Sequence, residues 1–243
     1  MKAVVSRVTT HSGFRFETLS ARHKNLVSDF LCNYYITSDP LWVGAGIREA
    51  DIRPIFPHVY PSWTKDPISF AVFSPENELI GVKINEIKTQ ADAKPTFPLW
   101  LLPRLDWKVI SLFEVVNRIK PEVYYLVPEN RKWFYFTIGC IRPDFWRRGI
   151  AVQMWERSLD LAEEFGCGAA FGLATNYKSQ KGLARMGFTP AKLVKYEQFF
   201  GDALFSKKWK NFFGEKVIIE NSEYLMVMIK TWYSRTSVIG TTS

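Results

Sequence analysis

The chain has 243 residues, 47% of them hydrophobic and 23% charged, with a formal net charge of +8. These proportions exclude a largely disordered chain and a coiled coil, and the length suits one domain of average-to-large size or two small ones with a real core. The positive balance points to an anionic partner, either a phosphorylated ligand, a nucleic acid or a membrane surface.

Cys32, Cys140 and Cys167 are odd in number, widely spaced and without a CxxC pair. That pattern argues against a disulfide framework or a structural zinc site and makes the reducing cytosol the expected compartment. With only His11, His23 and His58, no histidine-rich metal site can be assembled, so no metal is expected. The first ten residues, MKAVVSRVTT, hold too short an apolar patch for a signal segment. No run of roughly 18 apolar residues offers a membrane-spanning helix.

In chain order, Leu26, Val27, Phe30, Leu31, Tyr34 and Tyr35 recur at spacings of three and four, which predicts a helix with Ser20 as its N-cap. Proline ends that stripe at Thr37-Ser38-Asp39-Pro40. Pro54, Pro57 and Pro61, interleaved with Phe56, Tyr60 and Trp63, read as an irregular loop anchored by its rings. Ser69–Ser74 and Leu79–Lys88 flank the turn Pro75-Glu76-Asn77-Glu78 as a hairpin. Pro95, Pro98 and Pro103 mark an insert, and Trp107–Lys120 presents Val109, Leu112, Phe113, Val116 and Ile119 on one helical face. Trp133–Ile141 is a strand, the 142–148 loop leads to a helix over Gly149–Phe165, and Ala169–Thr175 is a buried strand. Ser179–Met186 is a short helix closed by Gly187 as its C′ residue. Lys192–Phe199 and Tyr224–Thr231 are the last strands, separated by the basic segment around Lys207-Lys208-Trp209-Lys210. The central strand–helix–strand unit implies a parallel pair within a mixed sheet.

The stretch Ile141-Arg142-Pro143-Asp144-Phe145-Trp146-Arg147-Arg148-Gly149-Ile150-Ala151 lies after a strand and opens a helix. The first N–H groups of a helix are unpaired and carry partial positive charge. Small residues at 149 and 151 let a ligand approach that backbone, and Arg147 and Arg148 add formal charge, which together suit a pyrophosphate. The competing reading is a basic turn with solvated arginines before an ordinary amphipathic helix. Neither a Walker loop nor a three-glycine dinucleotide fingerprint is present.

Downstream lie Asn176-Tyr177-Lys178-Ser179 and Gly187-Phe188. With Ile141-x-Pro143 and Trp146-x-x-Gly149-x-Ala151, these resemble the GNAT superfamily of acetyl-CoA-dependent N-acetyltransferases. Its signature is V-x-P-x-x-[QR]-x-x-G-x-[GA], then N-x-x-[AS] and a terminal G-F. A finer resemblance is to the arylalkylamine (dopamine-type) N-acetyltransferases of insects and nematodes. It rests on Phe30-Leu31, Tyr34-Tyr35, Ser38-Asp39-Pro40-Leu41, the insert, and the last strand Leu225-Met226-Val227-Met228-Ile229-Lys230.

The resemblance implies an α/β fold with a mixed, mostly antiparallel central sheet, a parallel strand pair at the cofactor cleft and flanking helices. It implies a single GNAT domain over residues 1–243 with an insert at about 90–130. It also implies acetyl-CoA as co-substrate and a small-molecule primary amine, an arylalkylamine, as acceptor, with direct transfer in a ternary complex in the cytoplasm. Gly139, Cys140 and Ile141 would pair with the pantetheine arm and hold the thioester oxygen. Arg147, Arg148, Gly149, Ile150, Ala151 and Val152 would wrap the pyrophosphate, and Asn176 and Ser179 would touch the far side of the cofactor. Asp39 stands where the group carries its acidic base before Pro-Leu.

Departures from the pattern are Trp146 in place of Gln or Arg, and Leu183 where many members place a tyrosine acid. Tyr135 and Thr137 stand where the vertebrate melatonin-pathway enzymes carry histidines. Ser179 or Thr175 would then relay a proton.

Other readings stand beside these. Asp39 before Pro40 is also a helix N-cap with Pro at N1. Glu86 is a second candidate base or an edge-facing carboxylate, and Ser179 an N-cap. Cys140 reads as a small buried hydrophobe rather than a nucleophile. Trp42, Phe56, Tyr60 and Trp63 line an aryl pocket or only anchor their loop. Alternative functions are a GNAT enzyme with a peptide or polyamine acceptor, a non-catalytic acyl-CoA-binding module, and a nucleic-acid binder. The last lacks any recognisable binding motif, so neither a nucleic acid nor a membrane is the expected partner. Oligomeric state is not readable from the sequence.

Overall fold

Alternating apolar residues between Phe14 and Thr18, and again through Leu79–Lys88, mark strands that bury one face or both. In the computed structural model, which describes residues 8–11, 13–93, 105–127, 132–195 and 224–232, these strands join one eight-stranded sheet. Its strands are β1 (Val8–His11), β2 (Phe14–Thr18), β3 (Phe70–Phe73), β4 (Leu79–Lys88), β5 (Trp133–Ile141), β6 (Ala169–Ala174), β7 (Thr189–Lys195) and β8 (Tyr224–Thr231). The spatial order is β1-β2-β3-β4-β5-β6-β8-β7. Every pairing is antiparallel except β5–β6, which is parallel as the strand–helix–strand reading requires. The expected fold class, a mixed and mostly antiparallel sheet flanked by helices, is the one observed.

Helices cover both faces. On one lie α1 (Lys24–Phe30), α2 (Pro40–Gly44), α3 (Glu49–Ile52), α4 (Phe56–Trp63) and α5 (Trp107–Leu126). Val27, Leu31, Ile55, Val109 and Val123 of this layer pack against Val82, Ile84, Trp133 and Phe171 of the sheet. On the other face lie α6 (Ile150–Glu164) and α7 (Tyr177–Arg185), whose Ile150, Met154, Leu161 and Leu183 pack against Phe70, Phe134 and Phe136.

Several elements differ from the sequence reading. The Pro54–Trp63 stretch is helical, not an irregular loop, with Pro54 and Pro57 in first turns, where proline's missing N–H costs nothing, and Pro61 inside α4. Its rings are anchors as expected: Phe56, Tyr60 and Trp63 are buried, and Tyr60 Oη donates to the Ser20 carbonyl at 2.9 Å. The helix begun at Trp107 runs past Pro121 to Leu126, because Val123 and Tyr124 bury and Tyr124 meets Trp133 edge-on at 4.8 Å. The first helix opens with a 3-10 turn at Ala21–His23 capped by Ser20 and closes in a π-type segment, Leu31–Tyr35. The seventh helix starts at Tyr177 with Asn176 as its cap, so Ser179 is inside the first turn and is not the N-cap. Strands β1 and β2 lie outside the elements read from the sequence, and Gly13, at a φ of +82°, marks their turn. The insert residues 94–104, part of the expected strand at 196–199 and the Lys207–Lys210 run lie outside the described residues.

The two helices on the second face touch at one point that allows only glycine. A Cβ placed on Gly182 of α7 would fall inside the Trp155 ring of α6. Gly182→Ala is expected to lower stability by about 1–3 kcal/mol, the usual cost of overpacking. Chemical denaturation reads this directly; an unchanged midpoint would show that Trp155 moves aside freely.

Candidate active site

β5 and β6 pair only from Trp133–Ala169 to Phe136–Gly172, after which no partner joins them. The cause is visible in the ladder on the other side of β5. Ile84 faces Ile138 while Asn85 faces Phe136, so Thr137 is an extra residue that bends the strand away. A fork opens between Ile138–Ile141 and the end of β6.

The groups that line this fork follow from strand geometry. Arg142 N–H donates to the Ile80 carbonyl at 2.9 Å, so Arg142 faces β4. Strand backbone groups alternate sides, so Cys140 also turns to β4, while Gly139 and Ile141 turn their N–H and C=O groups into the fork. Trp146 Nε1–H takes up the Ile141 carbonyl at 2.9 Å, consistent with that direction. Of the three residues expected to meet a pantetheine arm, Gly139 therefore turns both backbone groups to the fork and Ile141 its N–H, its carbonyl being taken by Trp146, whereas Cys140 spends its own on the sheet. The Cys140 thiol is buried, and desolvation with the nearby Asp39 carboxylate holds its pKa well above the ordinary thiol range. It is a protonated, packed side chain and no nucleophile.

At the open end of the fork lies the 147–152 turn, and it faces solvent. Gly149 is the N-cap of α6 at φ +75°, and Arg147 before it also has a positive φ of 63°. A glycine suits that left-handed position because it has no Cβ penalty. No side chain caps the helix, so the N–H groups of Ile150, Ala151 and Val152 point outward unused. The Ile150 side chain is in the core and contributes only its amide, while Val152 is exposed. Arg148 donates to the Asp144 carbonyl at 3.2 Å and lies over the Phe145 ring at 4.6 Å. Arg142 is spent on Glu78 and Asp144, each at 2.8 Å. Arg147 has no side-chain partner among the described residues, and one α6 turn further the buried Gln153 Oε1 lacks a hydrogen bond. These features fit a diphosphate: outward amides, an uncommitted guanidinium and a glycine with only the Gln153 amide near its Cβ position.

The opposite face of the fork holds Asp39. As N-cap of α2 it accepts the Leu41 N–H at 3.0 Å through Oδ1, with Pro40 at N1. Its Oδ2 accepts the hydroxyl of Thr175 at the end of β6. The cap reading is thus observed, and one carboxylate oxygen is left for Thr175. Both side chains are buried, and Asp39 is raised from 3.8 to about 6, with desolvation opposed by the Thr175 and Leu41 hydrogen bonds. Tyr35, Trp42 and Phe113 form a chain of edge-on rings beside it, with centroids 6.1 and 6.2 Å apart.

Of the two hydroxyls considered as relays, the structure brings Thr175 to Asp39 and not Ser179. Ser179 N–H and Oγ both donate to Asn176 Oδ1, at 2.8 and 3.0 Å. Glu86 spends its oxygens on Thr137 and Lys88, each at 3.0 Å. Tyr135 stacks on Phe171 at 4.6 Å within the core. Trp146 reaches toward α7, where Lys178 Nζ lies 4.8 Å from its ring centre. Thr175 was recognised only as one of two options, and its proximity to a residue 136 positions earlier has no local signal. Among the described residues, no group of three or more His, Cys, Asp or Glu side chains could hold a metal, and no helix is long and apolar enough to cross a membrane.

The Asp39 carboxyl makes a prediction about stability. Between 3.8 and about 6 the folded state keeps a proton that the unfolded chain has released, so Asp39 subtracts stability as pH rises through that window. Asp39→Asn keeps an acceptor for Leu41 and is expected to raise the thermal midpoint at about pH 7.5. The gain should shrink toward about pH 4; a midpoint that falls at every pH would contradict it.

Comparison with known proteins agrees with this geometry. The model of the acetyltransferase (GNAT) family matches residues 123–188. No curated protein sequence matches the chain. Arylalkylamine N-acetyltransferase 2 from Aedes aegypti is structurally similar, with a TM-score of 0.71 and 20% identity, over 90% of this chain and 99% of that one. The polyamine N-acetyltransferase of Drosophila melanogaster, which forms N-acetylagmatine, gives 0.70 and 13% over 90% and 99%. A mosquito arylalkylamine N-acetyltransferase-like 5b gives 0.68 and 13% over the same shares. The chain has the fold seen in the insect arylalkylamine N-acetyltransferases, and its residues 123–188 match the model of the acetyltransferase (GNAT) family.

Proposed function

We propose that the protein is an acetyl-CoA-dependent N-acetyltransferase whose acceptor is a primary amine, specifically an arylalkylamine, and that transfer is direct with both substrates bound together. The observation that carries this reading is the fork itself. It joins an outward-facing helix start and Arg147 at its mouth, the Gly139 and Ile141 backbone along one side, and a buried Asp39–Thr175 pair on the other.

Acetyl-CoA, when bound, supplies the acetyl thioester. The Ile150, Ala151 and Val152 amides and the Arg147 guanidinium hold the diphosphate. The Gly139 and Ile141 backbone groups hold the pantetheine arm as an added strand would, with the Gly139 N–H as donor to the thioester oxygen. An ammonium has no lone pair, so the acceptor must lose a proton before attack. Asp39, raised to about 6, is ionised at neutral pH yet basic enough to take that proton. Thr175 extends its reach: the hydroxyl oxygen accepts the amine's proton as its own passes to Asp39 Oδ2. Tyr35, Trp42 and Phe113 offer ring faces and edges beside the carboxylate, which favours an aryl group on the amine over a purely polar chain. Holding the two substrates across the fork removes most of the entropic cost of their encounter.

Calorimetric titration with acetyl-CoA tests the cofactor reading; absence of binding at millimolar ligand ends it. Arg147→Ala is expected to weaken that binding about ten-fold or more, the scale of one charge-assisted hydrogen bond at roughly 1.5–3 kcal/mol. Asp39→Asn is expected to lower turnover by roughly 10²–10⁴ while acetyl-CoA affinity holds, and an unchanged rate removes Asp39 from the chemistry. Thiol release across a panel of arylalkylamines, agmatine and peptides reads the acceptor class. Fastest turnover with agmatine would favour a polyamine acceptor, and silence with every amine a binding module.

A further inference from the structure

Among the described residues, Lys83 is the one lysine buried within the central sheet. It sits in the middle of β4 with 2% exposure, paired with Phe70 on β3 and with Gly139 on β5. Its stem crosses the Gly139 backbone, with Cδ 3.9 Å from the position a Cβ would take there. A side chain at 139 would compete for that path. Lys83 Nζ then comes to rest 4.1 Å from the centre of the Phe136 ring. Phe136 is the last β5 residue paired with β6, so the amine stands at the apex of the fork. It lies on the face covered by α6 and α7, opposite Asp39.

Nothing in the fold's own hydrogen bonding explains this lysine. Among the described residues it has no hydrogen bond and no carboxylate partner. The cation–π contact with Phe136 offsets only part of the cost of burying an ammonium. On the same face α6 brings a charged group, Arg157, 5.5 Å from the ring centre of Phe70, the β3 residue paired with Lys83. Asp39 and the Cys140 thiol lie beyond the sheet on the other face. Leu183 of α7 reaches the same apex, 3.5 Å from the Cβ position of Gly172. That apolar residue stands where the resemblance places a tyrosine acid.

We propose that Lys83 is the proton donor to the departing CoA sulfur, occupying from β4 the role that Leu183 cannot fill from α7. The inference rests on the acetyl-CoA reading above. A thioester whose oxygen accepts the Gly139 N–H has its sulfur in the fork, beside the residue whose backbone the Lys83 stem crosses. As the amine nitrogen bonds to the acyl carbon and the carbon–sulfur bond breaks, sulfur keeps the electron pair. The Lys83 ammonium gives sulfur a proton and becomes a neutral amine, the attacking nitrogen releases its second proton to water as the amide forms, and water reprotonates Lys83 between turnovers. Burial lowers Lys83 to about 7, so at neutral pH both the donating and the recovering forms are populated. Together with Asp39, which must be ionised, this gives a rate that rises with pH through about 6 and falls through about 7.

The test uses Lys83→Met, which keeps the stem and removes only the ammonium, alongside the wild type, with CoA and desulfo-CoA as ligands. Titration with CoA and desulfo-CoA reads cofactor binding with and without the thiol, and the pH profile of turnover reads the ammonium. Turnover of Lys83→Met should fall about 10²–10⁴-fold and its alkaline limb should disappear, with CoA affinity changed less than about three-fold. The variant should also be at least as stable as the wild type at about pH 7, since the folded state no longer forces a lysine to release its proton. Equal turnover of the two proteins, or an alkaline limb that persists in Lys83→Met, would overturn the role of Lys83 while leaving the acetyl-CoA reading intact. Loss of CoA binding in a folded Lys83→Met would make Lys83 a binding residue and also overturn it. Failure of the wild type to bind CoA would instead remove the reading on which the role rests. Should Lys83→Met not fold, the wild type decides alone: absence of an alkaline limb near about 7 overturns the proposal.

Discussion

The site depends on the parting of two parallel strands. β5 and β6 share a ladder for four residue pairs, and then the extra residue at Thr137 turns β5 aside. A strand edge without a partner is an open row of donors and acceptors, which most folds cover or blunt. Here the row is internal to the sheet, two residues deep, and directed at a helix start that is itself uncapped. The backbone therefore presents hydrogen-bonding groups along the fork and amides at its mouth without help from side-chain identity. At the turn the Trp146 indole closes the Ile141 carbonyl and leaves the amides of α6 open.

Charge is distributed across the two faces of that opening in opposite senses. On one face Asp39 is buried against Leu41 and Thr175 and is raised to about 6; on the other Lys83 is buried against Phe136 and lowered to about 7. Desolvation is the leading cause in both, and in both it moves an ionisable group toward neutrality near the working pH. Each burial costs the fold stability. A chain optimised for stability alone would place apolar residues at both positions.

Much of the architecture was legible because the hydrophobic periods are strong. The boundaries of β4, β5 and β8 follow the sequence reading, and the parallel pair follows from a strand–helix–strand order with glycines at the joints. The errors have physical causes. Pro54 and Pro57 read as loop residues, but they stand in first turns, where the lost N–H is harmless. The sequence reading ends α5 at Lys120, but burial of Val123 and Tyr124 carries it to Leu126. Ser179 read as a cap, but Asn176, three residues earlier, has the extended backbone and the acceptor oxygen that capping requires.

By itself the sequence determined the mixed α/β class, the strand–turn–helix that presents residues 147–152, and Asp39 as a cap before Pro40, because each is a local pattern of hydrophobicity, glycine or proline. Tertiary structure decided the rest. It alone showed that Thr175 and not Ser179 meets Asp39, that Cys140 turns its backbone into the sheet while Gly139 and Ile141 face the fork, and that Lys83 lies buried at the apex. Those outcomes hang on a one-residue bulge and on contacts between strands far apart in the chain, and a strand's facing reverses with each residue of register, which no local pattern records.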